Sequence, residues 1–258
     1  MSKFSRRTFA PLSVSQNFLT NRRTILRLLG LTSIDNGDLV VEIGAGKGHI
    51  TRELIKKSGK LITYEIDANL IGHLNRIFVG VENLEIRHMD FLKAALPRIP
   101  YKVFANIPFS RTSEIVRKLT SAQNPPDEAW LVMEKGAAKR FIGKPGENAS
   151  SVSIKPFFDS EVLYYFSKQD FHPAPATEAV LVHFSRKPQY DLLPGERTEF
   201  IKFYRQCMQH GINRFLTKKQ VSTALRLAAL PSIEQSATMR YVQWLCLFRC
   251  YRRFHGGK

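Results

Sequence analysis

Cysteine, acid and long apolar runs are what this chain of 258 residues has least of. The three cysteines, Cys207, Cys246 and Cys250, form no CxxC pair. Cys246 and Cys250 are four apart on one face of a predicted helix, but no His or third Cys nearby completes a zinc set. Metal binding is therefore not expected, and buried thiols in a reducing, cytoplasmic setting are. No apolar run approaches the ~20 residues of a membrane span, so no membrane association is expected. Acid is scarce as well: 22 Asp and Glu face 39 Lys and Arg, a formal charge of +17. An excess of that size favours a polyanionic partner, the plainer alternative being a generally basic, soluble surface. No repeat or low-complexity segment interrupts the chain.

The first acid is Asp35, preceded by Lys3, Arg6, Arg7, Arg22, Arg23 and Arg27. Such an acid-free start has the composition of a transit peptide. A motif beginning at Gln16 leaves little to remove, so a basic arm, ordered or touching nucleic acid, is expected instead.

The hydrophobic pattern alternates between buried strands and amphipathic helices. Strands are predicted over 38–43, 61–66, 84–87, 101–105 and 129–133, and helices over 24–31, 68–78 and 114–119, with a further helical pattern through Ile50, Leu54 and Ile55. Two more strands fall near 162–166 and 180–184, and 143–148 reads as a polar loop. Functional-looking residues at successive strand ends indicate a doubly wound α/β domain. Past Pro188 the pattern turns helical, over 200–215, 218–230 and 241–251. From Asp191 onward twelve Lys and Arg stand against four Asp and Glu, a net +8. The expected division is an α/β domain over 1–188 and a small basic helical domain over 189–258.

Four strand ends carry the candidate chemistry. The first enters Gly44-Ala45-Gly46-Lys47-Gly48, whose glycines permit tight turning and close approach of a ligand. The dinucleotide fingerprint would place its third Gly at His49, so a ligand without pyrophosphate suits this loop better. Glu65 lies about 20 residues on, where a ribose-binding carboxylate is expected, and Asp90 could accept from an adenine amine. Either acid alone reads more simply as a helix cap; both, in register after the loop, describe a nucleoside ligand without phosphates. The fourth end is Asn106-Ile107-Pro108-Phe109. Asn106 can grip an exocyclic amine and Phe109 can stack on a base, although the tetrad alone would pass for a strand-to-loop turn.

Residues 42–51 (EIGAGKGHIT), Glu65-Ile66-Asp67, Asp90-Phe91 and Asn106-Ile107-Pro108-Phe109 together resemble the rRNA adenine N6-methyltransferases. Gln16-Asn17-Phe18-Leu19 resembles their N-terminal cofactor motif, and Phe171-His172-Pro173-Ala174-Pro175 their late aromatic motif. Two families share this layout: the Erm enzymes of large-subunit rRNA and the KsgA-type enzymes of small-subunit rRNA. Gly46-Lys47-Gly48-His49 and the ending over 243–251 (QWLCLFRCY) resemble Erm; Ser110-Arg111-Thr112 departs from the common Asn-Ile-Ser. The resemblance implies a Rossmann-like, seven-stranded class I methyltransferase domain with a small all-helical C-terminal domain. It implies S-adenosylmethionine as cofactor, held by Asn17, Leu19, Gly44, Gly46, Glu65, Ile66, Asp90, Phe91 and Asn106. It implies methyl transfer to a flipped-out adenine of 23S rRNA by Asn106, Pro108, Phe109 and Phe171, acting as a monomer, with macrolide, lincosamide and streptogramin B resistance as the outcome.

Overall fold

The computed structural model describes residues 17–255 apart from Glu234. The expected basic arm with Lys3, Arg6 and Arg7, and Gln16 of the first motif, lie outside the described residues.

A two-residue strand β1 (Phe18–Leu19) precedes α1 (Arg22–Gly30). Then β2 (Leu39–Ile43), α2 (His49–Leu54), β3 (Lys60–Glu65), α3 (Ala68–Ile77), β4 (Leu84–His88), β5 (Lys102–Asn106), α4 (Thr112–Thr120) and β6 (Glu128–Glu134) follow in turn. Next come α5 (Lys135–Ile142), α6 (Ala149–Ile154), β7 (Phe158–Tyr165), β8 (Phe171–His172) and β9 (Ala179–Arg186). Three helices end the chain: α7 (Arg197–His210), α8 (Lys218–Leu227) and α9 (Tyr241–His255).

Seven strands form one sheet in the order β4-β3-β2-β5-β6-β9-β7, and β2 to β6 pair in parallel. The order reverses between β2 and β5. A crevice therefore opens at their carboxyl ends, the place where doubly wound sheets bind ligands. β1 pairs antiparallel with β8, Phe18 opposite His172 and Leu19 opposite Phe171. Central strands are buried except at their ends, as covering both faces of a parallel sheet requires; Val40, Leu61, Phe104, Val132 and Leu181 have no exposed surface.

Capping residues set the helix starts. Asn21 Oδ1 accepts from the N–H groups of Arg23 and Thr24, and Asp67 Oδ1 from those of Asn69 and Leu70; each such cap is worth about 1 kcal/mol. The predicted helix over 200–215 stops at His210, because Gly211 takes φ +81° and a 3₁₀ turn follows. The one over 218–230 stops at Leu227, with Ala229 at φ +51°. The short helices α5 and α6 escaped the sequence pattern. They flank the expected polar loop, whose last residue, Asn148, caps α6 in a box with Ser151.

The chain divides into two compact units, one running to Glu134 and including Leu163–Val182, the other Lys135–Val162 with His183 onward. Rings dominate the second core. Phe200 lies 5.0 Å from Phe248 between ring centroids, and Tyr204 lies 4.8 Å from Trp244.

Candidate active site

The crevice at the ends of β2 to β5 is an open pocket, and ten of the expected site residues line it: Asn17, Gly44, Gly46, Glu65, Ile66, Asp90, Phe91, Asn106, Pro108 and Phe109. Gly44, Gly46 and Gly48 all hold positive φ, at 76°, 58° and 79°. At Gly46 a Cβ would stand 2.6 Å from the Phe18 ring, so glycine is required by contact as well as by conformation. At Gly44 a Cβ would meet nothing within 4 Å; it would project into free space that a ligand can fill.

Glu65 is buried at 4% exposure, and its carboxylate is held by backbone alone. Oε2 accepts from Gly46 N–H at 2.9 Å; Oε1 accepts from the N–H groups of Ile66 at 2.8 Å and Asp67 at 3.0 Å. It is not a helix cap, since Asp67 caps α3. Three of about four lone-pair sites are taken, and one on Oε2 remains for a ligand. Asp90 does cap: Oδ1 accepts from Leu92 N–H at 2.9 Å at the start of a 3₁₀ turn over 91–93. Its Oδ2 has no partner among the described residues, so the cap does not exclude a ligand contact. Phe91 is buried edge-on against Tyr64, with ring centroids 5.5 Å apart.

The amide of Asn106 is oriented by a single bond. Nδ2 donates to the carbonyl oxygen of Asn17 at 2.7 Å. A carbonyl can only accept, so the amide cannot be reversed, and Oδ1 is left as an acceptor on the pocket side. In the turn that follows, Ile107 N–H donates to Val132 O, and Pro108 O accepts from Arg111 N–H at 2.9 Å. The carbonyl of Ile107 is unbonded among the described residues. Two acceptors, Asn106 Oδ1 and the Ile107 carbonyl, thus belong to residues that line the same pocket as the half-buried Phe109. Such a pair suits an amine with two hydrogens on a flat ring.

Two expected residues are placed elsewhere. Leu19, at 2% exposure, and Phe171, at 5%, belong to the core. Phe171 packs on Phe166 at 5.1 Å and pairs with Leu19, so it offers no open face to a base. The expected stacking role of Phe171 therefore requires its ring to be uncovered when a base enters. Its flanking prolines distinguish an ordered segment but not an exposed one. Residues not assigned to the site from the sequence also line the pocket, notably Phe18, Met89, Leu92, Arg111 and Ile115. Ile66 and Met89 are 44% and 46% exposed, apolar side chains left open immediately beside the two acids. Ile66 was expected through its motif; only its position at a strand end could have marked Met89.

Glu42, inside the glycine motif, is buried on β2. Oε2 accepts from Thr51 Oγ1 at 2.7 Å and Thr63 Oγ1 at 2.8 Å, while Oε1 has no partner. Burial pushes its carboxyl up to about 7 against the two hydroxyl bonds, and the charge of Glu65 adds to the rise. Cys207 is buried, and burial pushes its thiol up to about 12; Cys246 and Cys250 are only half-buried. Among the described residues no group of His, Cys, Asp or Glu could hold a metal ion. No helix among them is long and apolar enough to cross a membrane.

The family model of ribosomal RNA adenine dimethylases matches residues 10–251. The chain belongs to this family. It is accordingly an rRNA adenine N6-methyltransferase of the superfamily shared by the Erm and KsgA-type enzymes. An rRNA adenine N-6-methyltransferase of Lysinibacillus sphaericus is 30% identical over 243 residues, covering 94% of this chain and 97% of that one. One from Bacillus licheniformis is 33% identical over 255 residues, covering 95% and 88%. Among solved structures, the 23S rRNA methyltransferase ErmE superposes with a TM-score of 0.80 at 27% identity, covering 91% of this chain and 99% of that chain. The seven-stranded Rossmann-like fold read from the sequence is the fold of this family member.

Proposed function

We propose that the protein transfers a methyl group from S-adenosylmethionine to N6 of a flipped-out adenine in 23S rRNA. The observation that carries this reading is the fixed amide of Asn106, an acceptor that cannot turn into a donor. The cofactor supplies an electrophilic methyl on a sulfonium. The residues fit such a group: free space over Gly44, a lone pair on Glu65 Oε2 for a ribose hydroxyl, an unbonded Asp90 Oδ2 for an adenine amine, and apolar Ile66 and Met89 beside them.

N6 is a poor nucleophile because its lone pair is delocalised into the ring. Asn106 Oδ1 and the Ile107 carbonyl accept its two hydrogens, which favours a pyramidal nitrogen and stabilises the positive charge that develops on it. Proline at 108 keeps these acceptors from relaxing away. No general base is needed, since the product ammonium loses its proton to water. Phe109 stacks on the adenine and offsets part of the few kcal/mol that unstacking costs.

The 23S target rests on the glycine loop and the chain's ending, both like Erm, and on the likeness to ErmE. Resistance to macrolide, lincosamide and streptogramin B drugs follows from that target. We further assign methyl transfer to residues 1–188 and RNA binding to the basic helices of 189–258, in a monomeric, cytoplasmic protein. Mapping N6-methylated adenines in rRNA from cells with and without the protein tests the reading. A new modified adenine in 23S rRNA is expected; modification confined to small-subunit rRNA would make it a KsgA-type enzyme.

A further inference from the structure

Among the described residues that line the pocket, Arg111 is the only cation. It ends the 3₁₀ turn that begins with Phe109, and its side chain is 44% exposed. Nε is paired with Glu114 Oε2 three residues on, and its two terminal nitrogens have no partner among the described residues. A guanidinium with its outer fork open is built to receive an oxyanion in bidentate fashion.

The place of Arg111 decides which oxyanion. It stands at the start of α4, two residues beyond Phe109, and its N–H donates to Pro108 O at 2.9 Å, so it is tied to the Asn106–Phe109 turn. Arg111 therefore belongs to the end of the pocket where the tetrad would receive the target adenine. The methionine carboxylate of the cofactor would lie at the glycine-loop end, and the adenosyl end of that molecule carries no anion. The other ligand, an adenosine within RNA, brings a phosphate on each side of its sugar wherever its base goes.

We propose that Arg111 binds a phosphodiester flanking the target adenosine, and that Glu114 is its resting partner, displaced when RNA arrives. This inference rests on the rRNA methyltransferase reading above. It gives the Ser110-Arg111-Thr112 segment, where the chain departs from its relatives' common pattern, a function in substrate grip.

The test is RNA affinity over a salt series, with the rRNA fragment that the wild type methylates, for Arg111→Ala, Arg111→Lys and Glu114→Ala. Cofactor affinity is measured alongside by calorimetry. Arg111→Ala should weaken RNA binding about tenfold or more at low salt. It should also shorten the log–log salt slope by roughly 0.7–0.9, one phosphate contact. Arg111→Lys should keep the slope while recovering part of the affinity, and Glu114→Ala should tighten RNA binding. Cofactor affinity should stay constant in all three. An unchanged slope in Arg111→Ala, or a weakened cofactor, overturns the inference. So does a loss of RNA affinity in Glu114→Ala equal to that of Arg111→Ala, which would make the pair a brace for the turn. If the wild type methylates no rRNA, the functional reading fails and this inference with it; methylation with an unchanged slope sinks this inference alone.

Discussion

The carboxyl ends of β2 to β5 and the C-terminal helices hold their shape by opposite means. At the strand ends, hydrogen bonds to backbone do the fixing: three N–H groups on Glu65, one on Asp90, one carbonyl on the amide of Asn106. In the helices the contacts are ring against ring, with Phe203 lying 5.7 Å from Phe248 and 4.9 Å from Tyr251. A backbone hydrogen bond specifies one atom in one direction, whereas packed rings specify volume. The first region therefore tolerates almost no change of residue, while the second accepts rings or branched chains of matching size.

Five substitutions should break or sharpen that contrast. Phe248→Ala empties the centre of the ring cluster, where Phe248 has no exposed surface. A loss of about 3–5 kcal/mol in unfolding stability is expected, and denaturant titration measures it. Methylation by the folded fraction should be unchanged; slower turnover without loss of stability would erase the distinction between the regions.

Asn106→Ala should do the reverse. Loss of a preorganised acceptor is worth about 3–4 kcal/mol in the barrier, or ~10²–10³ in rate. Single-turnover methylation gives the rate, and separate titrations should find RNA and cofactor affinities little altered. Wild-type rates in this variant would reduce the tetrad to a turn.

Glu65→Ala should weaken the cofactor by about 1.5–3 kcal/mol, one charge-assisted bond. It also strips an acceptor from the N–H groups of Gly46, Ile66 and Asp67, so stability should fall too. Asp90→Ala, with a single backbone bond at stake, should lose affinity with a smaller change in stability. Calorimetry against S-adenosylmethionine compares the two; unaltered affinity in both would leave them as structural carboxylates.

The smallest effect should appear in Glu42→Gln, as a change in pH dependence. Folding raises this carboxyl from the ordinary carboxylate range to about 7, so the folded state holds the proton over a window where the unfolded chain has lost it. Its favourable contribution is complete below the unfolded value and is lost as pH rises toward about 7. Gln cannot ionise, so relative to wild type the variant should gain on the order of 1–3 kcal/mol between pH 5 and pH 8. Unfolding curves at both pH values test this; a parallel pH profile would mean that Glu42 is ionised throughout.

Much of the strand-end region was legible because its chemistry is tied to chain geometry. A glycine at positive φ, an acid at a strand end and an Asn before a Pro turn each leave a local mark at a fixed distance. Phe171 was not legible, because its exposure depends on Phe166 and Leu19, which no local pattern brings together. Ile66 was assigned through the motif around it, while Met89 and Arg111 received no site role, since side chains of their kinds are common anywhere. In the helices, periodicity gave three elements, but the left-handed turns at Gly211 and Ala229 moved two of their ends.

The bond from Asn106 to Asn17 joins residues 89 positions apart. The partner carbonyl comes from the segment that leads into β1, and β1 is secured by pairing with β8 near the far end of the same unit. The direction of the Asn106 amide is thus a product of chain closure. A molecule folded around its parallel strands but not yet strapped by β1 would carry the same tetrad with nitrogen and oxygen free to exchange places. In the proposed reaction, competence depends on Asn17 being in place. Without that bond the amide would present its donor and its acceptor to the proposed adenine interchangeably.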